Sequence, residues 1–164
     1  MSGRDAGFEE LARAVTPRLY RSAHFLAGDP HTAEDLVQET LAKLYVRWTR
    51  IDQPAAYAHT TLVRTFLSAR RRRSSSELPS STLPDRGRPD GDHDLRLALT
   101  EALAALRPVD RAVLVLRYLD DLSVAETAAR TGLSAGAVRN RSMRALQQVR
   151  DLLGTSLTDL MPQE

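Results

Sequence analysis

The segment Leu133–Arg150, LSAGAVRNRSMRALQQVR, carries Arg139, Arg141, Arg144 and Arg150 without one acidic residue, and the next acid is Asp151. Guanidinium groups and an asparagine amide have the donor geometry to read guanine and adenine edges, and flanking arginines can pair with phosphates. Carboxylates among them would repel a phosphate backbone, so their exclusion has a physical reason. On a helical wheel centred on Val138, Ser142, Ala145, Leu146, Val149, Leu152 and Leu153 share one side. Gly136, Asn140, Met143, Arg144 and Gln147 point the other way, with Arg139 and Arg141 on the flanks. Ala135, Gly136 and Ala137 keep the start of this helix small, so its N-terminal end can sit deep in a groove, and Ser134 stands at its cap. The candidate DNA-reading set is therefore Ser134, Gly136, Ala137, Arg139, Asn140, Arg141 and Arg144. An ordinary amphipathic helix with solvated arginines is the competing reading. The turn and the caps before the segment favour DNA.

A second basic cluster, Arg70, Arg71, Arg72 and Arg73, closes a pattern that also holds Tyr57, His59, Thr60, Arg64 and Phe66. Aromatic and basic groups together suit a single-stranded or melted DNA surface, where bases stack and phosphates pair. Four arginines at a helix end are equally what the helix dipole favours in solvent. On residue pattern alone the two readings stand level. A third group, Asp35, Gln38, Glu39 and Lys43, recurs at three- and four-residue steps opposite an apolar stripe of Leu36, Val37, Leu41, Leu44, Tyr45 and Trp48.

Catalysis finds little support. Asp120 and Asp121 are adjacent and read as a helix terminus, and His24, His31, His59 and His93 lack ligand spacing. With no cysteine there is no disulfide and no thiolate metal site. Neither a metal nor a cofactor is expected. MSGRDAGFEELARAV lacks the apolar core of a signal peptide, and no apolar run is long enough to span a bilayer. The expectation is a soluble protein of the cytoplasm with no membrane insertion.

These groups need helices to position them. Ala, Leu and Arg are abundant and aromatics make up 5% of the chain, which favours helix over sheet. FEELARAVTPRLYRSAHFLAG repeats apolar residues at helical steps, with Pro17 bending or splitting the helix and Gly28 ending it. Thr32 and Asp35 resemble a capping box for the second helix, and a third starts near Pro54. SSSELPSSTLPDRGRPDGDHD is poor in apolar residues and reads as a flexible linker, too long to lie loose inside one domain. The formal net charge of +2 hides its distribution: residues 77–94 hold five acids against two bases, whereas residues 1–76 hold twelve bases against eight acids. Four helices follow, LRLALTEALAAL, PVDRAVLVLRYL, SVAETAART and the arginine-rich one. Ser123 and Ser134 are placed as N-caps, and Gly132 stands where a left-handed residue is needed. Helix, glycine turn, helix is a helix-turn-helix. The expected fold class is all-α, two small helical domains joined by a flexible linker: 1–74, an acidic linker 75–94, a helix-turn-helix domain 95–154, and a short tail 155–164.

With both halves in view, the chain resembles the extracytoplasmic-function (group IV) sigma factors of bacterial RNA polymerase, in an actinobacterial SigE-like subgroup. GDPHTAEDLVQETLAKLYVRW is similar to their region 2.2 helix, and LALTEALAALRPVDRAVLVLRYLDDLSVAETAARTGLSAGAVRNRSMRALQQVR to region 4. The resemblance implies that Asp35, Gln38, Glu39 and Lys43 dock on the clamp of core RNA polymerase. It implies that Tyr57, His59, Arg64 and Arg70–Arg73 engage the −10 element, and that the helix from Ser134 reads the −35 element of promoter DNA. The linker would run through the polymerase, its acids (Asp85, Asp90, Asp92, Asp94) mimicking nucleic acid. Anti-sigma factors are frequent partners in the family, and Leu116, Tyr118 and Leu119 fit either core or such an interface, core being the expected assignment. Family members carry Trp, Asn and Asp along the third helix where Tyr57, Arg64 and Ser68 stand here. Two other functions fit the residues less well. An autonomous helix-turn-helix regulator leaves AEDLVQE and the two-domain layout unexplained, and a DNA-acting enzyme lacks an activated nucleophile or clustered carboxylates.

Overall fold

The computed structural model describes the backbone of residues 2–74 and 91–160 and the side chains of 2–72 and 93–154. The chain divides into two compact units, Met1–Pro79 and Ser80–Glu164. Among the described residues every regular element is helical.

The first unit packs three helices, α1 (Gly3–Ala27), α2 (Pro30–Arg47) and α3 (Pro54–Ser74), with a short 3₁₀ turn at Trp48–Arg50. Each presents one apolar stripe: Val15, Leu19, Ala23 and Leu26 from α1; Ala33, Leu36, Val37 and Leu44 from α2; Ala58, Leu62, Val63, Phe66 and Leu67 from α3. The steps of three and four residues place each set on a single face, and burial of those faces holds the unit together. Pro17 does not split α1, which runs through it unbroken. The proline is exposed, so the backbone hydrogen bond it forfeits lies on the solvent side, where water can serve the freed carbonyl. Gly28 ends α1 at φ +88°. The start of α2 corrects the sequence expectation by three residues: Asp29 is the N-cap, its carboxylate accepting from the Thr32 backbone N–H at 2.8 Å, with Pro30 in the first turn. Burial pushes the Asp29 carboxyl up, but the hydrogen bonds from Thr32 outweigh it and hold it below the ordinary aspartate value.

The second unit comprises α4 (Gly91–Ala104), α5 (Pro108–Leu114) continued by a π-helical turn (Val115–Leu119), α6 (Val124–Thr131) and α7 (Ala135–Leu160). Helix α4 begins at Gly91, so the last four residues assigned to the linker, 91–94, are helical. Residues 75–90 lie outside the described residues, and with them most of the acidic stretch. Leu103, Leu106, Ala112–Leu116, Val138, Ala145 and Val149 form the core. At its centre Arg111, 3% exposed, turns inward and donates to the carbonyls of Leu103 (2.8 Å), Ala104 (3.2 Å) and Leu106 (3.1 Å). These include the orphan carbonyls at the C-terminal end of α4, which a helix cannot satisfy itself. Arg111 thus fastens α4 to α5.

Thr127 of α6 is fully buried, and its hydroxyl has no hydrogen-bond partner among the described residues. Thr127→Val keeps the branched shape and removes the desolvated hydroxyl. The second unit is expected to gain about 1 kcal/mol, read from the urea midpoint; a lower midpoint would show that the hydroxyl is bonded.

Candidate nucleic-acid interface

Helix α6, the Gly132 turn and α7 form the helix-turn-helix. Ser123 caps α6 in a full capping box: its hydroxyl accepts from Glu126 N–H at 3.0 Å, and the Glu126 carboxylate accepts from Ser123 N–H at 2.8 Å. The backbone hydrogen bond from Ser123, followed by its hydroxyl, holds the Glu126 carboxyl below its usual value. Gly132 closes α6 at φ +77°, a conformation costly for a residue with a side chain. Ser134 then starts α7, its hydroxyl accepting from Ala137 N–H at 3.1 Å.

Along α7 one line is buried: Val138, Ser142, Ala145 and Val149, with the Ser142 hydroxyl donating to the Val138 carbonyl at 2.7 Å. The opposite face is exposed and holds Gly136, Arg139, Asn140, Met143, Arg144 and Gln147. Gly136 faces open space, with no atom of the unit near where a side chain would stand, so the glycine answers no packing need inside the unit and leaves room for an external partner. Arg139 and Arg144 have no carboxylate partner among the described residues, which leaves their guanidiniums available. Ser134, Gly136, Ala137, Arg139, Asn140 and Arg144 therefore share one end and one face of α7. Arg141 departs from them. It is half-buried and ion-paired with Asp110 of α5 at 2.8 Å, a partner thirty-one residues away that the wheel could not supply.

The structure adds a neighbour that sequence reasoning placed elsewhere. Leu116 is core as expected, but Tyr118 is 54% exposed, and it borders an open groove with Arg117, Arg139, Met143 and Arg144. The π turn is the cause. Asp120 N–H donates to the carbonyl of Val115 at 2.9 Å, a five-residue step that rotates Tyr118 off the 3.6-residue period. The Arg117 guanidinium lies 5.7 Å from the Tyr118 ring centroid.

In the first unit, α3 exposes Arg64, Ser68, Arg71 and Arg72, while Tyr57 is half-buried and its hydroxyl accepts from Arg47 at 3.3 Å. Arg70 lies 5.7 Å from the Phe66 ring centroid, and the Arg73 side chain falls outside the described residues. His59 is a correction: at 9% exposure it sits inside, because it shares a face with Leu62, Val63 and Phe66 at steps of three, four and seven.

On α2, Asp35, Gln38, Glu39 and Lys43 are all exposed. The Lys43 ammonium also ties to Glu39 (3.3 Å) and to the buried Thr65 hydroxyl of α3 (3.0 Å), so it braces α2 against α3. One cluster escaped sequence reasoning altogether. The Tyr45 hydroxyl donates to Asp5 at 2.8 Å, Arg4 lies over the Tyr45 ring, and Phe8 packs edge-on against Tyr45 and Trp48. The hydrogen bond from Tyr45, then those from Ser2, lower the Asp5 carboxyl, and the Tyr45 hydroxyl is correspondingly raised. Its members lie forty residues apart and carry no spacing signal.

Among the described residues no group of three His, Asp or Glu side chains could hold a metal ion, and no helix is long and apolar enough to cross a membrane.

Comparison with known proteins bears on both units. A sigma-70 region 2 model matches residues 11–76, and a sigma-70 region 4 model matches residues 96–149. The RNA polymerase sigma-E factor of Streptomyces coelicolor is 38% identical over 89% of this chain and 85% of its own length. The ECF RNA polymerase sigma factor SigE of Mycolicibacterium smegmatis is 35% identical over 89% of this chain and 61% of its own. Among solved structures, the sigma factor RpoE of Bartonella quintana, in complex with the anti-sigma factor NepR, aligns at TM-score 0.71 and 25% identity, covering 90% of this chain and 97% of that one. CnrH, in complex with the cytosolic domain of CnrY, aligns at TM-score 0.68 and 23% identity over 93% of this chain and 91% of that one, which shows the shared fold.

Proposed function

The chain belongs to the sigma-70 family of RNA polymerase sigma factors, in its extracytoplasmic-function group, and from that premise we propose how its two units divide the family's work. A sigma factor binds core RNA polymerase and directs it to promoters; the autonomous-regulator alternative is not favoured. Residues 1–74 form the polymerase-docking and −10 unit, residues 91–154 the −35 unit, and residues 75–90 stand between them in the sequence. The exposed polar ridge of Asp35, Gln38 and Glu39 docks on the polymerase, with Lys43 bracing it from beneath. Arg64, Arg70, Arg71 and Arg72, with Tyr57 and Arg73, engage the −10 element. Ser134, Gly136, Ala137, Arg139, Asn140 and Arg144 meet the −35 element in the major groove.

The single observation that carries the reading is the exposed face of α7 from Gly136 to Gln147: amide and guanidinium donors, no carboxylate before Asp151, and a small-residue start. That surface suits duplex DNA. The protein supplies specificity and no catalysis of its own, and it acts in the cytoplasm beside the polymerase. An anti-sigma factor, the kind of partner found in the Bartonella structure, is a further partner in this reading.

The docking assignment makes a separable prediction. Asp35→Ala combined with Gln38→Ala removes two exposed side chains that the fold does not use for packing, so stability is expected to be unchanged. Affinity for sigma-free core polymerase is expected to fall by about 2 kcal/mol, roughly thirtyfold, as for paired interface contacts. Titration with labelled protein measures it; undiminished affinity would move the docking ridge elsewhere.

A further inference from the structure

Arg141 is the exception on the arginine-rich helix. Its guanidinium lies 2.8 Å from the Asp110 carboxylate, with the two side chains 32% and 21% exposed. Arg139, Arg144 and Arg150 have no such partner among the described residues. Asp110 sits in the first turn of α5, where the helix dipole favours its negative charge. A phosphate approaching Arg141 would have to displace that carboxylate and then face it at close range.

We infer that Asp110 sets specificity: by holding Arg141 it keeps one positive charge of the DNA-facing helix off the phosphate backbone. This rests on the DNA-binding reading of α7. Phosphate neutralisation is blind to sequence and adds about 0.9 to the salt slope of binding per contact. Each arginine released to the backbone therefore raises affinity for every duplex alike, and discrimination falls. Withholding Arg141 leaves Asn140 and Arg144, which face base edges, with a larger share of the binding energy. Asp110 acts through Arg141 and is a positioning residue.

The test is fluorescence anisotropy of the full chain on a random-sequence duplex at 50 and 200 mM salt. Asp110→Asn retains an oxygen to accept from Arg141 but removes the charge. Its salt slope is expected to steepen by about 0.9, so its advantage over the parent is about 3.5-fold larger at the lower salt. Asp110→Glu should restore the parent slope, and adding Arg141→Ala to Asp110→Asn should abolish the gain. A role in packing alone would produce no gain in affinity and no change of slope. Arg141→Ala by itself gives an independent reading: the slope is expected to stay at the parent value, because that charge never reached the backbone. A slope shallower by about 0.9 in Arg141→Ala would overturn the inference, as would an unchanged slope in Asp110→Asn. A parent that binds no duplex at 50 mM salt would instead take down the DNA reading, and this inference with it.

Discussion

Replacing Arg111 with methionine is expected to destabilise the second unit by about 2–3 kcal/mol, the range for losing a buried, charged hydrogen-bond donor. Methionine fills the space but donates nothing, so the carbonyls of Leu103, Ala104 and Leu106 lose their common donor. The Leu103 carbonyl keeps the Leu106 N–H (3.1 Å) and Ala104 is exposed, so the Leu106 carbonyl carries most of the loss, about 1–3 kcal/mol, and a domain this small has little to spare. Lysine is expected to recover only part of the loss, since one ammonium lacks the planar fork that serves several carbonyls at once. The chain has a single tryptophan, Trp48, in the first unit. Tryptophan fluorescence therefore follows the first unit during urea unfolding, whereas circular dichroism follows both. Arg111→Met should shift the dichroism transition to lower urea while the fluorescence transition stays in place. An unmoved dichroism transition would show that Arg111 does not hold the second unit together.

Arg144→Ala and Asn140→Ala carry the second large effect, on DNA. Both side chains are exposed on the face of α7 opposite Val138, and neither supports the core. If each contacts a base edge, its loss costs about 1–3 kcal/mol on the −35 duplex and relaxes selectivity at the contacted position. Arg139, on the flank, is expected to behave differently. Its alanine variant should weaken binding to all sequences alike and reduce the salt slope by about 1, the signature of a phosphate contact. Binding isotherms on a panel of single-base variants of the −35 duplex separate these outcomes. Uniform losses for Arg144→Ala and Asn140→Ala would remove both from the base-reading set.

The helices were legible because their apolar residues recur at three- and four-residue steps, and a stripe of that period has few other uses. The turn around Gly132 was legible for the same local reason: a cap, a glycine and a second cap within twelve residues. Features that depend on contacts distant in sequence were not. Arg111 lies in PVDRAVLVLRYL, where nothing separates a buried arginine from an exposed one until α4 supplies carbonyls for it. Arg141 has the type and position of a DNA contact, and only the fold brings Asp110 to it. His59 sits beside aromatic and basic residues in sequence but beside Leu62 and Phe66 in space. Tyr118 followed the helical period into the expected core, and the π turn carried it out. Asp29 in place of Thr32 as the cap of α2 is a smaller instance, decided by Pro30, whose fixed φ suits the first helical position better than it suits the turn before a helix. Local signals fix elements; side-chain roles wait on what the elements meet.

The most direct measurement is association of the purified full chain with sigma-free core RNA polymerase, followed by transcription from a pool of genomic fragments. Tight binding, with initiation confined to a small set of fragments sharing −35 and −10 elements, is the predicted result. Sequence-specific binding to duplex DNA without any affinity for core polymerase would contradict the account.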